Sequence, residues 1–249
     1  MKLFSQTSNP AMNKSIFNRI SVAESSETMT IQGAVNKVGL MLLIVVLAAS
    51  YTWSLAMKGS TLTMPLMIVG VIGGLITAIV TIFKKQYSAY TAPLYALFEG
   101  LFLGAISAMF AYLYEGVVFK AVILTFGVLF ALLFAYKTGV IRATEKFKSG
   151  VIAATGGIFI FYMVTFVLRL FGVQLPMLHD GGIISILISL AIVVIAALNL
   201  VLDFDFIEQG AAANAPKYFE WYGAFGLMVT LIWLYLEILR LMSLLSGRD

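Results

Sequence analysis

Seven long apolar runs, each cut off from the next by a short polar or charged stretch, constrain this chain more than any other feature. They fall at about 34–57, 62–83, 91–114, 117–137, 150–172, 182–206 and 220–245, and each is long enough to cross a hydrocarbon layer roughly 30 Å thick. A water-soluble domain must cover its exterior with polar side chains. Here 61% of the 249 residues are hydrophobic and 11% are charged, with a mean hydropathy of +1.00, which leaves too little polar surface for that. In lipid the backbone has to satisfy its own hydrogen bonds, and helices do so. The expectation is an all-α membrane protein: a seven-transmembrane-helix bundle over residues 31–249 behind a polar tail, residues 1–30.

The breaks are chemically distinct. Lys58-Gly59-Ser60, Lys84-Lys85-Gln86, Glu115-Gly116 and the stretch from Lys137 to Gly150 separate the first five runs. Gly172 to Gly182, with Pro176, His179 and Asp180, separates five from six, and Gln209 to Lys217, with Gly210 and Pro216, separates six from seven. The first run follows more than thirty mostly polar residues and is longer than a signal-peptide core, so it reads as a retained helix. The tail itself is serine- and asparagine-rich, with a short interfacial helix or no fixed structure near Ile16 to Ile20. With a cytoplasmic N-terminus, eleven of the 16 lysines and arginines fall inside and five outside, the latter being Lys58, Lys120, Arg169, Arg240 and Arg248. That asymmetry favours N-in, C-out; six spans and a re-entrant last segment is the alternative. Gly70-x-x-x-Gly74 and Gly100-x-x-x-Gly104 mark places where helices can approach closely, within one chain sooner than between two.

Charge inside a span is costly, so each case asks for a reason. The candidates are Glu99 in the third run, Asp203 and Asp205 at the end of the sixth, and Glu237 with Arg240 in the seventh. Asn199 and Asp203 are four apart and share a helix face. Asp205 lies some 200° round from Asp203 and shares a face with Glu208. Asp203 is therefore expected to face the other helices, and Asp205 with Glu208 the aqueous interface, unless all three simply solvate the helix end. Glu237 either has a function or is neutralised by Arg240 three residues on. Glu99 either serves the same chemistry or is hydrogen-bonded across the bundle.

These residues resemble the Bax inhibitor-1 family, also called the transmembrane Bax inhibitor motif family. The run Leu198 to Ile207 is similar to that family's sixth-helix pattern, in which an aspartate follows an apolar run. Leu234-Tyr235-Leu236-Glu237-Ile238 resembles its seventh-helix Leu-Tyr-Leu-Asp-Phe-Ile pattern, and Phe98 to Ser107 is loosely similar to its aromatic-x-x-Gly-x-x-Leu-Gly segment. The seven-span layout covers most of the chain; the N-terminal extension lies outside it. The resemblance implies a bacterial-type plasma (inner) membrane or an organelle membrane, the former favoured; the cytoplasmic N-terminus is what the lysines and arginines favour. The resemblance also implies calcium leak, with Asp203 and Glu237 as a pH-sensing carboxylate pair and candidate Ca²⁺ ligands, and with Asn199, Asp205, Glu99 and Arg240 in support. Two departures stand out: Glu replaces Asp in the seventh helix, and the spacing between the two acids is longer than the family's.

Helix rise puts a condition on that pair. Entering lipid at Tyr222, Glu237 would lie about 22 Å along its helix at roughly 1.5 Å per residue, whereas Asp203 would sit near the inner face. They meet only if residues near 217–227 stand at or outside the interface. If they do meet, two carboxyls within about 4 Å in a poor dielectric share a proton, and losing it creates both repulsion and a pair of hard oxygen ligands.

Several classes are excluded. No glycine-rich phosphate loop ending in Gly-Lys-Ser/Thr is present. The seventh run carries no lysine for a retinal Schiff base, and a single histidine, His179, rules out a His-Glu-x-x-His protease. Zero cysteines exclude thiolate metal sites, and basic residues at the ends of apolar runs do not make a nucleic-acid surface. The expectation is a non-enzyme: a pH-sensitive leak channel or transporter for cations, Ca²⁺ foremost, with lipid and a cation (Ca²⁺ or H⁺) as partners and no other cofactor. The alternative is a non-conducting regulator that binds a membrane protease or channel through its N-terminal tail.

Overall fold

The computed structural model describes residues 28–172 and 182–247. Among them are seven helices long and apolar enough to cross a membrane: α1 (Ile31–Met57), α2 (Thr63–Phe83), α3 (Ser88–Leu113), α4 (Val117–Lys137), α5 (Glu145–Leu170), α6 (Ile183–Ala212) and α7 (Phe219–Ser246). A three-residue 3₁₀ turn, Lys85–Tyr87, leads into α3. The expected all-α, seven-span architecture is what the chain adopts. The expected helix near Ile16 to Ile20 and the loop carrying Pro176, His179 and Asp180 lie outside the described residues.

Local chemistry sets the ends. Thr30, in extended conformation, accepts the Gly33 N–H at 2.9 Å and caps α1; Thr144 accepts the Phe147 N–H and caps α5. The largest difference from the sequence expectation is at α6, which runs to Ala212 and not to 206. Asp205 is half-buried and Glu208 exposed, so the last turns are solvated by their own acids and stay helical beyond the apolar run. They stop where Asn214 takes φ 51°. There the Ala215 N–H reaches Gly210 O at 3.0 Å and the Asn214 N–H reaches Ala211 O at 3.1 Å, a left-handed cap that satisfies the final carbonyls.

The contacts divide the chain into two compact units. One holds Tyr114–Phe204 together with α7 from Thr230; the other holds the helices up to Leu113 together with Asp205–Val229. In the second unit the glycine pairs do the packing. A Cβ on Gly100 would stand 2.6 Å from Val45 O, one on Gly104 2.2 Å from Ala49 O, and one on Gly70 2.7 Å from Phe98 O. So α3 lies backbone-to-backbone against both α1 and α2, and the close-approach motifs serve packing within the chain. The opposite face of α2 leaves Ile68, Ile72, Leu75 and Ile79 exposed, the surface a lipid-facing helix requires. In the first unit Tyr136 at the end of α4 meets Phe204 of α6, with ring centroids 5.9 Å apart.

Replacing Gly104 by Val forces a side chain onto the α1 backbone and is expected to cost about 1–3 kcal/mol of stability. Gly127→Ala, with nothing within 4 Å of the new Cβ, should be neutral or mildly stabilising. Thermal unfolding of the detergent-purified protein separates them; equal midpoints would mean that α1 and α3 do not approach this closely.

Candidate functional site

The feature that departs furthest from an inert helix packing lies on α7. Glu237 sits between fully buried neighbours, Leu234, Ile238 and Leu239, and is itself 6% exposed. Its Oε1 accepts the Tyr162 hydroxyl of α5 at 2.5 Å and the indole N–H of Trp233, one turn earlier, at 3.3 Å. The Arg240 guanidinium donates to the same Tyr162 oxygen at 3.1 Å. The hydroxyl thus stands between the cation and the carboxyl, and it relays the arginine's polarisation to Glu237. The Glu237–Arg240 relation expected from their three-residue spacing runs through Tyr162, a residue the sequence reading did not single out. Glu237 Oε2 is buried and has no hydrogen-bond partner among the described residues.

Asp203 is fully buried on α6, and Asn199, one turn earlier, is 5% exposed. Asn199 donates to Thr155 Oγ1 of α5 at 2.9 Å and to Ile195 O at 2.8 Å. Asp205, round the helix, is half-buried and accepts the side-chain N–H of Gln209. Asp203 therefore faces inward while Asp205 and Glu208 face out, as the helical periodicity expects.

The contacts of α5 set the depths of these groups. Tyr162 meets Glu237, and Thr155 meets Asn199. Thr155 lies about 10 Å from Tyr162 along α5, and Asp203 lies a further ~6 Å the same way, because successive spans run in opposite directions. By this register Asp203 and Glu237 stand roughly 16 Å apart along the helix axes. The geometry is two carboxyls at two depths, the arrangement that helix rise favours, and not a touching pair.

Glu99 belongs to the other compact unit. It is half-buried on α3, hydrogen-bonded to the Tyr95 hydroxyl one turn earlier, with a carboxyl oxygen resting where a Cβ on Gly74 would be 2.7 Å away. It is held by the α2–α3 contact. Among the described residues no three His, Cys, Asp or Glu side chains gather as they would around a metal ion. A divalent cation meeting Asp203 or Glu237 would complete its shell with water and neutral oxygens.

A family model described as Bax inhibitor 1 like matches residues 9–247, nearly the whole chain. No curated protein and no solved structure matches.

The Tyr162–Glu237 bond makes a double-mutant cycle informative. Tyr162→Phe strips Glu237 of its shortest hydrogen bond and is expected to destabilise the protein by about 1–3 kcal/mol. The same change made in a Glu237→Gln background should cost measurably less, a coupling of at least about 0.5 kcal/mol. Strict additivity in thermal unfolding would show that the two side chains do not interact.

Proposed function

The chain belongs to the Bax inhibitor 1 like family, and from that membership we propose that it is a pH-sensitive leak for cations, Ca²⁺ foremost, in which Glu237 senses the proton and Asp203 provides a second stop at another depth. The observation that carries the reading is the half-satisfied Glu237. A carboxyl sequestered in a spanning helix, with Oε1 held by Tyr162 and Trp233 and Oε2 without a partner, has room for one more ligand. A proton or a cation fits that place.

The mechanism needs no covalent step. With a proton on Oε2 the carboxyl is neutral and stays against Tyr162. When the proton leaves, an uncompensated charge remains in a low-dielectric setting, which costs free energy until water or a cation reaches it. Separating α7 from α5 near Tyr162 admits both. A cation then has two carboxylates to visit, Glu237 and Asp203 with its neighbour Asn199, spaced along the helices. Two stops that each bind weakly favour passage over capture. Flux therefore rises as pH rises through neutrality. In the N-in orientation that the lysines and arginines favour, Asp203 lies in the cytoplasmic half and Glu237 in the outer half; a bacterial plasma membrane is the proposed setting.

Calcium flux into liposomes carrying the full chain tests this. Wild type should conduct more at about pH 8 than at about pH 6. Glu237→Gln should lose that dependence, and Asp203→Asn should conduct several-fold less at every pH. No flux above empty liposomes from demonstrably folded protein would overturn the reading and favour a non-conducting regulator that binds another membrane protein.

A further inference from the structure

Three ammonium groups from three separate segments meet three consecutive residues in the first turn of α7. Lys217, just ahead of the helix, reaches Glu220 Oε1 at 3.2 Å. Lys37 of α1 stands 5.3 Å from the centre of the Trp221 ring. Lys85, in the 3₁₀ turn between α2 and α3, stands 5.6 Å from the centre of the Tyr222 ring. Both are within reach of a cation–π attraction.

Polar contacts between helix starts gather them, all inside one compact unit. Glu220, completely buried, accepts the Thr30 N–H at 3.0 Å and the Thr30 hydroxyl at 2.9 Å. Thr30 also caps α1 through the Gly33 N–H, so the carboxylate joins the positive ends of α1 and α7. Gly33 permits the approach, since a Cβ there would lie 1.9 Å from Glu220 Oε1. The Ser88 hydroxyl, at the start of α3, donates to Tyr218 O at 2.8 Å and brings Lys84 and Lys85 to the same end. The acid among these lysines is thus turned inward on α1, while Lys37, Lys85 and Trp221 are half-buried and Lys84 is exposed.

Helix rise sets these lysines at the depth of lipid headgroups. Lys37 is the one charged residue of α1, and from it to Met57 the helix rises about 30 Å, the thickness of a hydrocarbon core. The 21 residues of α2 cover the same distance and deliver Lys84 and Lys85. Ammonium groups supply donors for phosphate oxygens, and a half-buried indole beside them suits the glycerol and first methylenes of a lipid. We propose that the first turn of α7, with Lys37, Lys85 and Lys217 around it, is a binding site for the headgroup of an anionic phospholipid. A zwitterionic headgroup brings its own cation, which the lysines repel, so the site selects against it.

Lipid retention by the full chain tests the site and does not depend on conduction. Delipidated protein in detergent is given an equimolar mixture of phosphatidylglycerol and phosphatidylcholine with the same acyl chains, and native mass spectrometry reads what stays bound. Wild type should retain phosphatidylglycerol in preference. Lys37→Gln with Lys85→Gln, which leaves the Lys217–Glu220 pair in place, should lower that preference by about fivefold for each lysine. Should the pair not fold, Lys37→Gln alone should show its single share of the loss. Lys58→Gln, at the other end of α1, and the charge-preserving Lys37→Arg with Lys85→Arg should both keep the wild-type preference. Equal retention of the two lipids by wild type overturns the proposal without any variant, and so does an undiminished preference in a folded glutamine variant. A thermal-unfolding midpoint raised as much by inorganic phosphate as by phosphatidylglycerol would make the occupant a free anion and overturn it too.

Discussion

Everything in this molecule follows from the rule that hydrocarbon solvates no polar group. The spans meet it first with helical backbone, then with their hydroxyls. Thr77 returns its proton to Gly73 O, Thr125 to Ala121 O and Thr165 to Phe161 O, each at 2.7–2.8 Å. Such bonds keep a polar side chain inside its own helix and make it nearly inert towards neighbours. The groups that break this habit are the ones that link helices: Asn199 to Thr155, Tyr162 to Glu237, Glu220 to Thr30. Against a background in which polar atoms are settled locally, a buried carboxyl held from a neighbouring helix marks a place where two spans are tied.

The two glutamates of α7 show how surroundings divide one residue type into two roles. Glu220 receives a backbone N–H, a hydroxyl and an ammonium on Oε1, at the junction of two helix N-termini, while its Oε2 has no hydrogen-bond partner among the described residues. It is a structural tie. Glu237 receives a hydroxyl and an indole N–H on one oxygen and no hydrogen bond on the other among the described residues. The same helix thus carries a carboxylate tied to the start of another helix at one end and a carboxyl held by a tyrosine towards the other.

Much of this was legible in the sequence, for physical reasons. Seven apolar runs can hardly become anything but seven spans, and helix ends came within a few residues wherever a charge or glycine ended the apolar stretch. The end of α6 extends past the apolar run that stops at 206, because hydropathy reports where lipid ends and not where helix ends; Glu208 and Gln209 are good helix formers in water. Glu237 was legible as a lone acid in an apolar run, and Trp233 lay within reach at four residues' spacing. Tyr162 was not legible, since nothing in a sequence says which of 11 tyrosines on which helix will meet a given acid. Nor was the partnership of Thr30 with Glu220, two ordinary helix-start residues joined only by tertiary contact. Helix rise set only the condition under which Asp203 and Glu237 could meet; the hydrogen bonds of α5 to Asn199 and Glu237 were needed to read their depths.

The central proposal is that Glu237 is the proton-sensing carboxyl of the leak. Infrared difference spectroscopy of the lipid-reconstituted protein, with Glu237→Gln as the subtraction, reads that proton directly. A protonated-carboxyl carbonyl band present at about pH 6, gone by about pH 8 and absent from the variant is the expected result. No band belonging to Glu237 that changes between those pH values would contradict it.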